Sequence, residues 1–277
     1  MPSTSCSCER HMGVTHSPRS RRLHGWLPTT PSGIAVALIP FVVTIAFGVL
    51  FVLDRPLYLW SVEEDSAVEW ATMAVYLAIT PAALLVALRR HRGGDRLGTF
   101  AWIVLAAGFV FIAGEEVSWF QRQIGFDGPE ALVVRNIQDE ANLHNLLDRY
   151  ALHAAYIVVG LWGLGAGRVV ARLIPVARPV WLYAPSRRRW TWFLPVTGYY
   201  VWIDYIGPAV ATALGPWFDE FARGPARFQE PMELLLACAF AFFVVDVVRS
   251  TAAPPRPVTH TEDAPRGSSL TPRTSSR

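Results

Sequence analysis

The sequence predicts an all-α, polytopic membrane protein with about six transmembrane helices and an interfacial helix between the third and the fourth. Hydrophobic residues make up 52% of the 277 residues and charged residues only 17%, whereas a typical soluble domain has about 25% charged residues. The chain also contains 11 tryptophans, and indole rings are enriched at the headgroup level of a bilayer. Long apolar runs occupy most of the chain.

Six runs are long enough to span a bilayer, because a hydrocarbon core of about 30 Å needs about 20 helical residues. The fifth run is interrupted only by one charged residue, Asp204. The last run has the weakest signal, because Glu233 and Asp246 bracket a short apolar centre. The predicted spans are residues 33–53, 66–88, 97–117, 146–168, 190–214 and 231–248.

The two ends of the chain differ in composition from this centre. Residues 1–32 and 249–277 are polar and rich in Ser, Pro and Arg, and such composition favours disorder. The first apolar run is too long for a signal peptide and lacks a small-residue cleavage site, so we expect it to be retained as a helix. The sequence therefore predicts one six-helix domain, residues 33–248, between two disordered tails.

The distribution of arginine predicts the orientation of the helices. Nineteen of the 25 arginines lie in segments that alternate to one side of the predicted spans, and the other six lie on the opposite side. An even number of spans places both termini on the same side. Basic residues are enriched in cytoplasmic loops, so we expect that side to be the cytoplasm. The basic segments are 1–32, 89–96, 168–189 and 249–277.

The helix ends on the opposite, extracytoplasmic side carry acidic and amide residues. Carboxylates near a membrane core are costly, so these clusters indicate a functional site. Two of the acids also have a structural explanation. Ser66 and Glu69 have the spacing of a capping box, and Glu233 would lie in a first turn that begins at Pro231. The clusters are Glu63–Asp65 with Glu69, Glu115 with Glu116, Asn136–Asp148, and Glu230 with Glu233.

Glu115 and Glu116 end the third predicted helix after a long uncharged run. Carboxylates at a helix C-terminus face the negative end of the helix dipole, and two adjacent acids repel each other. We therefore expect a compensating Arg, His or metal ion, although a solvated helix end is the alternative. On a continuing helix, Glu115 would share one face with Ser118, Trp119 and Arg122.

The segment 136–148 is the second unusual region. If it is helical, Glu140, His144 and Asp148 line one face, and a carboxylate four residues from a His is plausible metal-ligand spacing. A polar interfacial helix before the fourth span is the alternative. Four amide side chains add hydrogen-bonding groups to this segment: Asn136, Gln138, Asn142 and Asn145.

Two polar residues lie deeper in the predicted spans. His153 follows His144 by nine residues, which places it about 13 Å deeper, and we expect it to form a hydrogen bond between helices. Asp204 is costly in the fifth span unless it is paired. It is either a proton-relay or substrate group, or a structural acid bonded to a neighbouring Tyr.

The two unusual segments resemble a group of uncharacterised bacterial multipass membrane proteins that carry a GEExSW-x-QR … NxQxExNLHN signature. The matching residues here are Gly114–Arg122 and Asn136–Asn145. Phe120 is a departure, because members of the group commonly have Gly at that position. No activity is established for the group, so the resemblance implies only that both segments belong to one site.

We therefore expect a polar, candidate metal-binding site at the extracytoplasmic face of the bacterial plasma (inner) membrane. One hypothesis is a membrane-embedded hydrolase or transferase that acts on a lipid or lipid-linked substrate, with the lipid bilayer as its partner and no nucleic acid. A divalent metal ion is the candidate cofactor. The catalytic candidates are Glu115, Glu116, His144 and Arg122. The substrate-binding candidates are Trp119, Gln121, Asn136, Gln138, Asn142, Asn145 and Asp204. The candidate metal ligands are Glu116, Glu140, His144 and Glu69.

Two other functions agree with the same residues. A small transporter or ion pathway would use the carboxylates as a vestibule and Asp204 and His153 as deeper steps, although no inverted repeat is visible. A non-catalytic assembly or sensory protein would use the polar surface to bind a partner. The sequence leaves the choice between enzyme and non-enzyme open, together with the substrate, the metal and the oligomeric state.

Overall fold

The computed structural model describes residues 30–125, 148–173, 184–215, 218, 224–225 and 227–252, and the regular secondary structure of this part is entirely helical. The prediction of an all-α protein is therefore confirmed. The π-helical stretch Trp202–Ile206 joins the helices Trp190–Val201 and Gly207–Leu214, so residues 190–214 form one continuous rod. The helices are α1 (Pro31–Leu53), α2 (Arg55–Val62), α3 (Ala67–Arg92), α4 (Arg96–Glu116), α5 (Gln121–Ile124), α6 (Arg149–Leu164), α7 (Ala166–Leu173), α8 (Trp190–Val201), α9 (Gly207–Leu214) and α10 (Gln229–Ala252).

Four helical segments of the described chain are long and apolar enough to cross a membrane. They correspond to the first, second, third and sixth predicted spans, and the sixth is longer at both ends than the sequence suggested. The chain thus has the helices of a membrane protein. The four segments are Pro31–Leu53, Arg55–Arg92, Arg96–Glu116 and Gln229–Ala252.

The fourth and fifth predicted spans are helical but do not meet the same criteria of length and composition. Helix α6 has 16 residues and is followed by the C-terminal cap Gly165, whose φ of 103° places it in the left-handed region. The fifth is divided by the π-helical stretch Trp202–Ile206. The predicted interfacial helix falls in residues 126–147, and most of the predicted tails in 1–29 and 253–277, all outside the described residues.

Side-chain caps explain where three of the helices begin. Thr30 Oγ1 accepts a hydrogen bond from the backbone N–H of Gly33 at 3.2 Å, at the start of α1. Asp95 Oδ1 accepts one from Gly98 at 2.8 Å, at the start of α4. Asp148 caps α6 in the same way. These short polar side chains satisfy amide groups that have no partner inside the helix.

Helix α3 packs against α4 and α10, α6 packs against α8, and α8 packs against α10. Aromatic rings fill much of the interior, and Trp102 of α4 stacks on Phe243 of α10 at 5.4 Å between ring centroids. Small residues allow the close approach of α6 to α8. A Cβ atom at Gly160 or Gly163 would overlap side-chain atoms of α8, so a larger residue would push these two helices apart.

The two ends of the helical bundle carry opposite charge. At the basic end, Arg89 of α3 donates a hydrogen bond to the carbonyl of Val248 in α10 at 2.9 Å. The opposite, acidic end contains Glu69 near the start of α3, Glu116 at the end of α4 and Glu230 near the start of α10. This arrangement brings acidic residues from three separate parts of the sequence to one place.

Candidate functional site

A cavity of about 570 Å³ opens at the acidic end, between α3, α4, α6 and α10. One part of its wall is acidic and the rest is apolar and aromatic. Its side chains therefore suit a ligand that has both a polar and an apolar portion. The acidic wall consists of Glu69, Glu115, Glu116, Glu230 and Glu233, and the apolar wall includes Phe111, Ile112, Leu152, Val159, Leu236 and Phe240.

Three of these carboxylates form a compact group. One oxygen each of Glu116, Glu230 and Glu233 lies within 4.8 Å of the others. They meet because α4 ends at Glu116, where the start of α10 reaches the same end of the bundle. Carboxylates this close repel one another, and a bound cation or shared protons would relieve that repulsion. A set of three carboxylate oxygens suits a hard divalent cation such as Ca²⁺, Mg²⁺ or Mn²⁺.

Glu233 also accepts a hydrogen bond from the hydroxyl of Tyr156 in α6, at 2.8 Å. Helix α10 begins at Gln229, so Glu230 occupies its first turn and Glu233 lies beyond it. The expectation that Glu233 lies in the first turn of this helix is therefore wrong. Its side chain lines the cavity.

A second tyrosine lies behind the first. The ring of Tyr200 stacks on Tyr156 at 4.6 Å, with an angle of 2° between the ring planes. Its hydroxyl is buried and has no hydrogen-bond partner within the described part of the chain. A buried hydroxyl without a partner is costly, so this group has the capacity to bind a water molecule or a ligand oxygen.

Glu69 has both a structural role and a place in the cavity wall. The Ser66 hydroxyl accepts a hydrogen bond from the Glu69 amide at 3.4 Å, as the capping pattern predicts. The return bond differs from a standard capping box, because Glu69 Oε2 accepts from the amide of Asp65, at 2.6 Å, rather than from that of Ser66. The carboxylate thus fixes the chain before α3 while it faces the acidic group.

Helix α4 does not continue beyond Glu116, so the shared face expected for Glu115, Ser118, Trp119 and Arg122 is not helical. Ser118, Trp119 and Phe120 have φ values of 46°, 54° and 63°, and three successive left-handed residues reverse the chain. The indole N–H of Trp119 still donates to Glu115 Oε1, at 2.6 Å. Backbone strain of this kind is found preferentially at functional sites.

Two positions at this turn have a crowded or strained backbone. A Cβ atom at Gly114 would lie 2.7 Å from the Trp119 ring, so the ring packs directly on the helix backbone. Phe120 occupies a left-handed position that glycine adopts without steric cost.

Arg122 belongs to an ion-pair network on the surface of the acidic end. Its guanidinium binds Glu64 at 2.9 Å and Asp65 at 3.0 Å. Gln123 donates to Asp65 at 2.7 Å, and Arg227 binds Glu64 at 3.2 Å. This surface network lies between α2 and α3 and ties the chain after α4 to the turn before α3.

A buried His–Asp pair joins α6 to the π-helical stretch. His153 Nδ1 lies 2.9 Å from Asp204 Oδ2, and the two side chains are only 6% and 2% exposed. Asp204 is therefore paired with a histidine rather than with one of the neighbouring tyrosines. The His153 ring lies 4.9 Å from Tyr200, and Tyr200 stacks on Tyr156, so ring contacts connect the pair to the cavity.

The structure brings together some of the predicted site residues and separates others. Glu69, Glu115 and Glu116 line the cavity, whereas Trp119, Gln121 and Arg122 lie in the segment that follows α4. Asp204 lies behind two tyrosine rings. Six predicted residues fall outside the described part of the chain: Asn136, Gln138, Glu140, Asn142, His144 and Asn145.

Sequence reasoning missed three residues of the site. Glu230 and Glu233 were recognised as an acidic cluster but not as candidate ligands, because the position of Glu233 had a simple helix-dipole explanation. Tyr156 lies in an apolar run and offers no signal of its own. Only the packing of α6 against α10 would have identified it. No protein-family model, curated protein or solved structure matches this chain.

Proposed function

We propose that this protein is a membrane-embedded hydrolase or transferase that binds a divalent cation and acts on a lipid or lipid-linked substrate. The observation that carries the proposal is the group formed by Glu116, Glu230 and Glu233 inside a cavity with apolar walls. In this proposal the three carboxylates hold the cation. A bound divalent cation would supply Lewis acidity to a phosphoryl or carbonyl oxygen of the substrate.

The shape of the cavity supports a substrate that enters from the bilayer. Phe111 of α4 and Ala155 of α6 line it and are themselves exposed on the side of the bundle. The cavity therefore reaches the lateral surface between two helices, where acyl chains would lie. Lipid tails suit the apolar wall, whereas a headgroup suits the carboxylates and the Tyr156 hydroxyl.

The other cavity residues have roles that follow from their contacts. Glu69 is the fourth carboxylate near the cation and the candidate general base, because it lines the cavity outside the compact group. Glu115 is held by the Trp119 indole and positions the turn after α4. Arg122 is bound to Glu64 and Asp65, so contact with a substrate anion would require it to leave them. Glu140 and His144 remain proposed ligands on sequence grounds.

The proposal includes six spans, with both termini on the cytoplasmic side of a bacterial plasma membrane. Two observations support the two additional spans. Residues 190–214 form one continuous rod of 25 residues, and about 20 residues suffice to cross a bilayer. Helices α6 and α7 together cover 149–173 with a bend at Gly165. Arginines concentrate at one end of the bundle, as the orientation requires.

Cation binding is the first test. Full-length protein in detergent micelles, stripped with a chelator, would be titrated calorimetrically with Ca²⁺, Mg²⁺, Mn²⁺ and Zn²⁺. We expect binding to the wild type, and at least about tenfold weaker binding to Glu116→Gln and Glu233→Gln, because each removes a ligand charge. Glu63→Gln is the matched control, since Glu63 is an exposed acid at the same end. A wild type that binds no cation would overturn the cation site.

Lipid turnover is the second test. Proteoliposomes containing a mixture of phospholipids and a polyprenyl phosphate would be incubated with and without chelator, and products would be identified by mass spectrometry. We expect a new product with the wild type and with Glu63→Gln, and none with Glu233→Gln or after chelation. Product formation that survives both Glu116→Gln and Glu233→Gln would exclude this site as the catalytic one.

A proton or ion pathway is the second candidate function, and the buried His153–Asp204 pair favours it. Asp204 lies on a π-helical stretch, an irregularity that is frequent at functional sites. Two tyrosines connect the pair to the carboxylates. In proteoliposomes with an internal pH indicator, a pathway predicts that Asp204→Asn stops proton flux and Glu63→Gln does not. Equal flux in the wild type and protein-free vesicles would exclude it.

A further inference from the structure

A second cavity lies at the basic end, at the opposite end of the bundle from the carboxylates. It has a volume of about 450 Å³ and is lined by the N-terminal part of α1, the start of α8 and the last turns of α10. Helices α1 and α10 are both long and apolar enough to cross a membrane. The cavity therefore lies where two such helices end, which is the level of lipid headgroups.

The charge of this basic-end cavity is positive. Arg188, Arg189 and Arg249 line it, and Asp246 is its one acidic lining residue within the described chain. Asp246 is already engaged, because Arg189 binds both of its carboxylate oxygens, at 2.9 and 3.0 Å. Arg188 and Arg249 are exposed and have no carboxylate partner in the part of the chain that the structure describes. Among the described residues, nothing occupies these two guanidinium groups, so both are available to an anion.

A buried hydrogen-bond donor belongs to the same wall. Trp192 lines the cavity and is 4% exposed, and its indole N–H has no acceptor among the described residues. Its ring is held against Phe242, with the centroids 4.7 Å apart. A buried N–H without an acceptor is costly, so an oxygen atom of a ligand in the cavity would remove that cost.

The rest of the surroundings are apolar. Val36 and Ala37 of α1 line the cavity, and Ile34 and Leu38 on the same helix are exposed to the exterior of the bundle. An acyl chain would pack along this face of α1 while its headgroup remained beside the arginines. A soluble phosphate would use only the polar part of the same cavity.

We propose that the basic-end cavity binds the phosphate group of an anionic lipid. Arg188 and Arg249 neutralise the phosphate, because planar guanidinium groups match its oxygens, and the Trp192 indole donates to one of them. Arg189 stays with Asp246 and over the Phe242 ring, 4.5 Å from its centroid, and holds the wall in place. This site is separate from the proposed catalytic cavity and does not depend on it.

Native mass spectrometry of the full chain in detergent tests the proposal. The protein would be titrated with phosphatidylglycerol and, separately, with phosphatidylcholine of the same acyl chains. We expect the wild type to bind one phosphatidylglycerol in preference to phosphatidylcholine. The double variant Arg188→Gln/Arg249→Gln should bind it at least about tenfold more weakly, because charge-assisted hydrogen bonds are lost. The double variant Arg92→Gln/Arg96→Gln is the matched control, since it removes two charges from the same end outside the cavity.

Two further arms complete the experiment. Trp192→Phe keeps an aromatic ring but removes the N–H, so we expect it to bind phosphatidylglycerol about threefold or more weakly. This variant tests the site even if the arginine variant does not fold. Competition with inorganic phosphate distinguishes the sources of the anion. Displacement by millimolar phosphate supports the phosphate site and assigns it to a soluble ligand, whereas resistance supports the lipid. Equal phosphatidylglycerol binding by the wild type, the cavity double variant and Trp192→Phe would overturn the site.

Discussion

Two groups of carboxylates lie at the acidic end, and they differ in what neutralises them. On the surface, Glu64 and Asp65 bind Arg122, with side chains that are 28–39% exposed. In the cavity, Glu116 and Glu233 approach each other and Glu230, and Glu233 accepts from the Tyr156 hydroxyl. The same residue type therefore serves two purposes within one end of the molecule. Surface charges are paired with arginine, whereas bound protons or a cation would relieve the repulsion within the cavity group.

The buried His153–Asp204 pair extends this comparison into the helices. Exposed ion pairs contribute about 0–1 kcal/mol, because water and salt screen them. Removal of one partner from a buried pair costs about 3–5 kcal/mol, since the other charge is left without water or a counter-ion. The difference between the surface network and the interior is therefore measurable as a difference in the free energy of unfolding.

The largest effect is expected for the buried pair. Asp204→Ala should lower the free energy of unfolding by about 3–5 kcal/mol, because it leaves His153 buried without its partner. Glu64→Ala, the surface counterpart, should cost less than about 1 kcal/mol. Reversible unfolding in mixed SDS micelles, followed by tryptophan fluorescence, measures both. Equal losses for the two variants would abolish the distinction between the surface network and the interior.

A double replacement shows whether the pair is needed for the fold or for activity. His153→Phe with Asp204→Leu replaces both polar side chains with apolar ones of similar shape, and such swaps are often neutral for stability. We expect the double variant to recover most of the stability lost in Asp204→Ala. Loss of lipid turnover or proton flux in a stably folded double variant would assign the pair to function. Retention of both would leave it a structural pair.

The second effect concerns the response to a cation. A cation at about 100 times its dissociation constant should stabilise the wild type by about 2.7 kcal/mol. Glu233→Gln should lose about half of this response or more, because tenfold weaker binding lowers the stabilisation to about 1.4 kcal/mol. Its amide oxygen can still accept from Tyr156. Glu64→Gln should keep it, because Glu64 belongs to the surface network. Thermal unfolding with and without Ca²⁺ or Mn²⁺ measures the shift, and a full response in Glu233→Gln would place the cation elsewhere.

Sequence reasoning identified more of the fold than of the site. The apolar runs predicted the helical segments and their order, because a bilayer imposes length and composition on each span. Ser66 and Asp95 show why some boundaries are local, since each is a cap whose partner lies three residues away. The bend at Gly165 and the π-helical stretch at Trp202–Ile206 carry no comparable pattern, because tertiary packing determines them.

The site was harder to predict, because its residues meet across helices. Glu115 and Glu116 were identified by their cost at a helix C-terminus, and both line the candidate cavity. Glu233 was assigned to a first turn that in fact begins at Gln229. The pairing of His153 with Asp204 depends on the register between α6 and the fifth predicted span. A single sequence does not contain that register.

A smaller effect is expected for the hydrogen bond between Tyr156 and Glu233. Tyr156→Phe should lower the free energy of unfolding by about 1 kcal/mol, because it removes one buried donor and keeps the ring stacked on Tyr200. Tyr205→Phe is the matched control, since Tyr205 is 61% exposed. Chemical unfolding of the two variants side by side provides the measurement. A larger loss for Tyr205→Phe would contradict the importance of the cavity bond.

The smallest effect belongs to the surface network, and its salt dependence distinguishes it from the interior. Arg122→Gln should cost less than about 1 kcal/mol at low salt, and the cost should decrease as salt is added. Between about 0.01 and 1 M salt the screening length falls from about 30 to 3 Å, but this affects only charges that contact water. The loss caused by Asp204→Ala should therefore stay nearly constant over the same range. If salt weakens both effects equally, water reaches the His153–Asp204 pair, and the interior of this end is as wet as its surface.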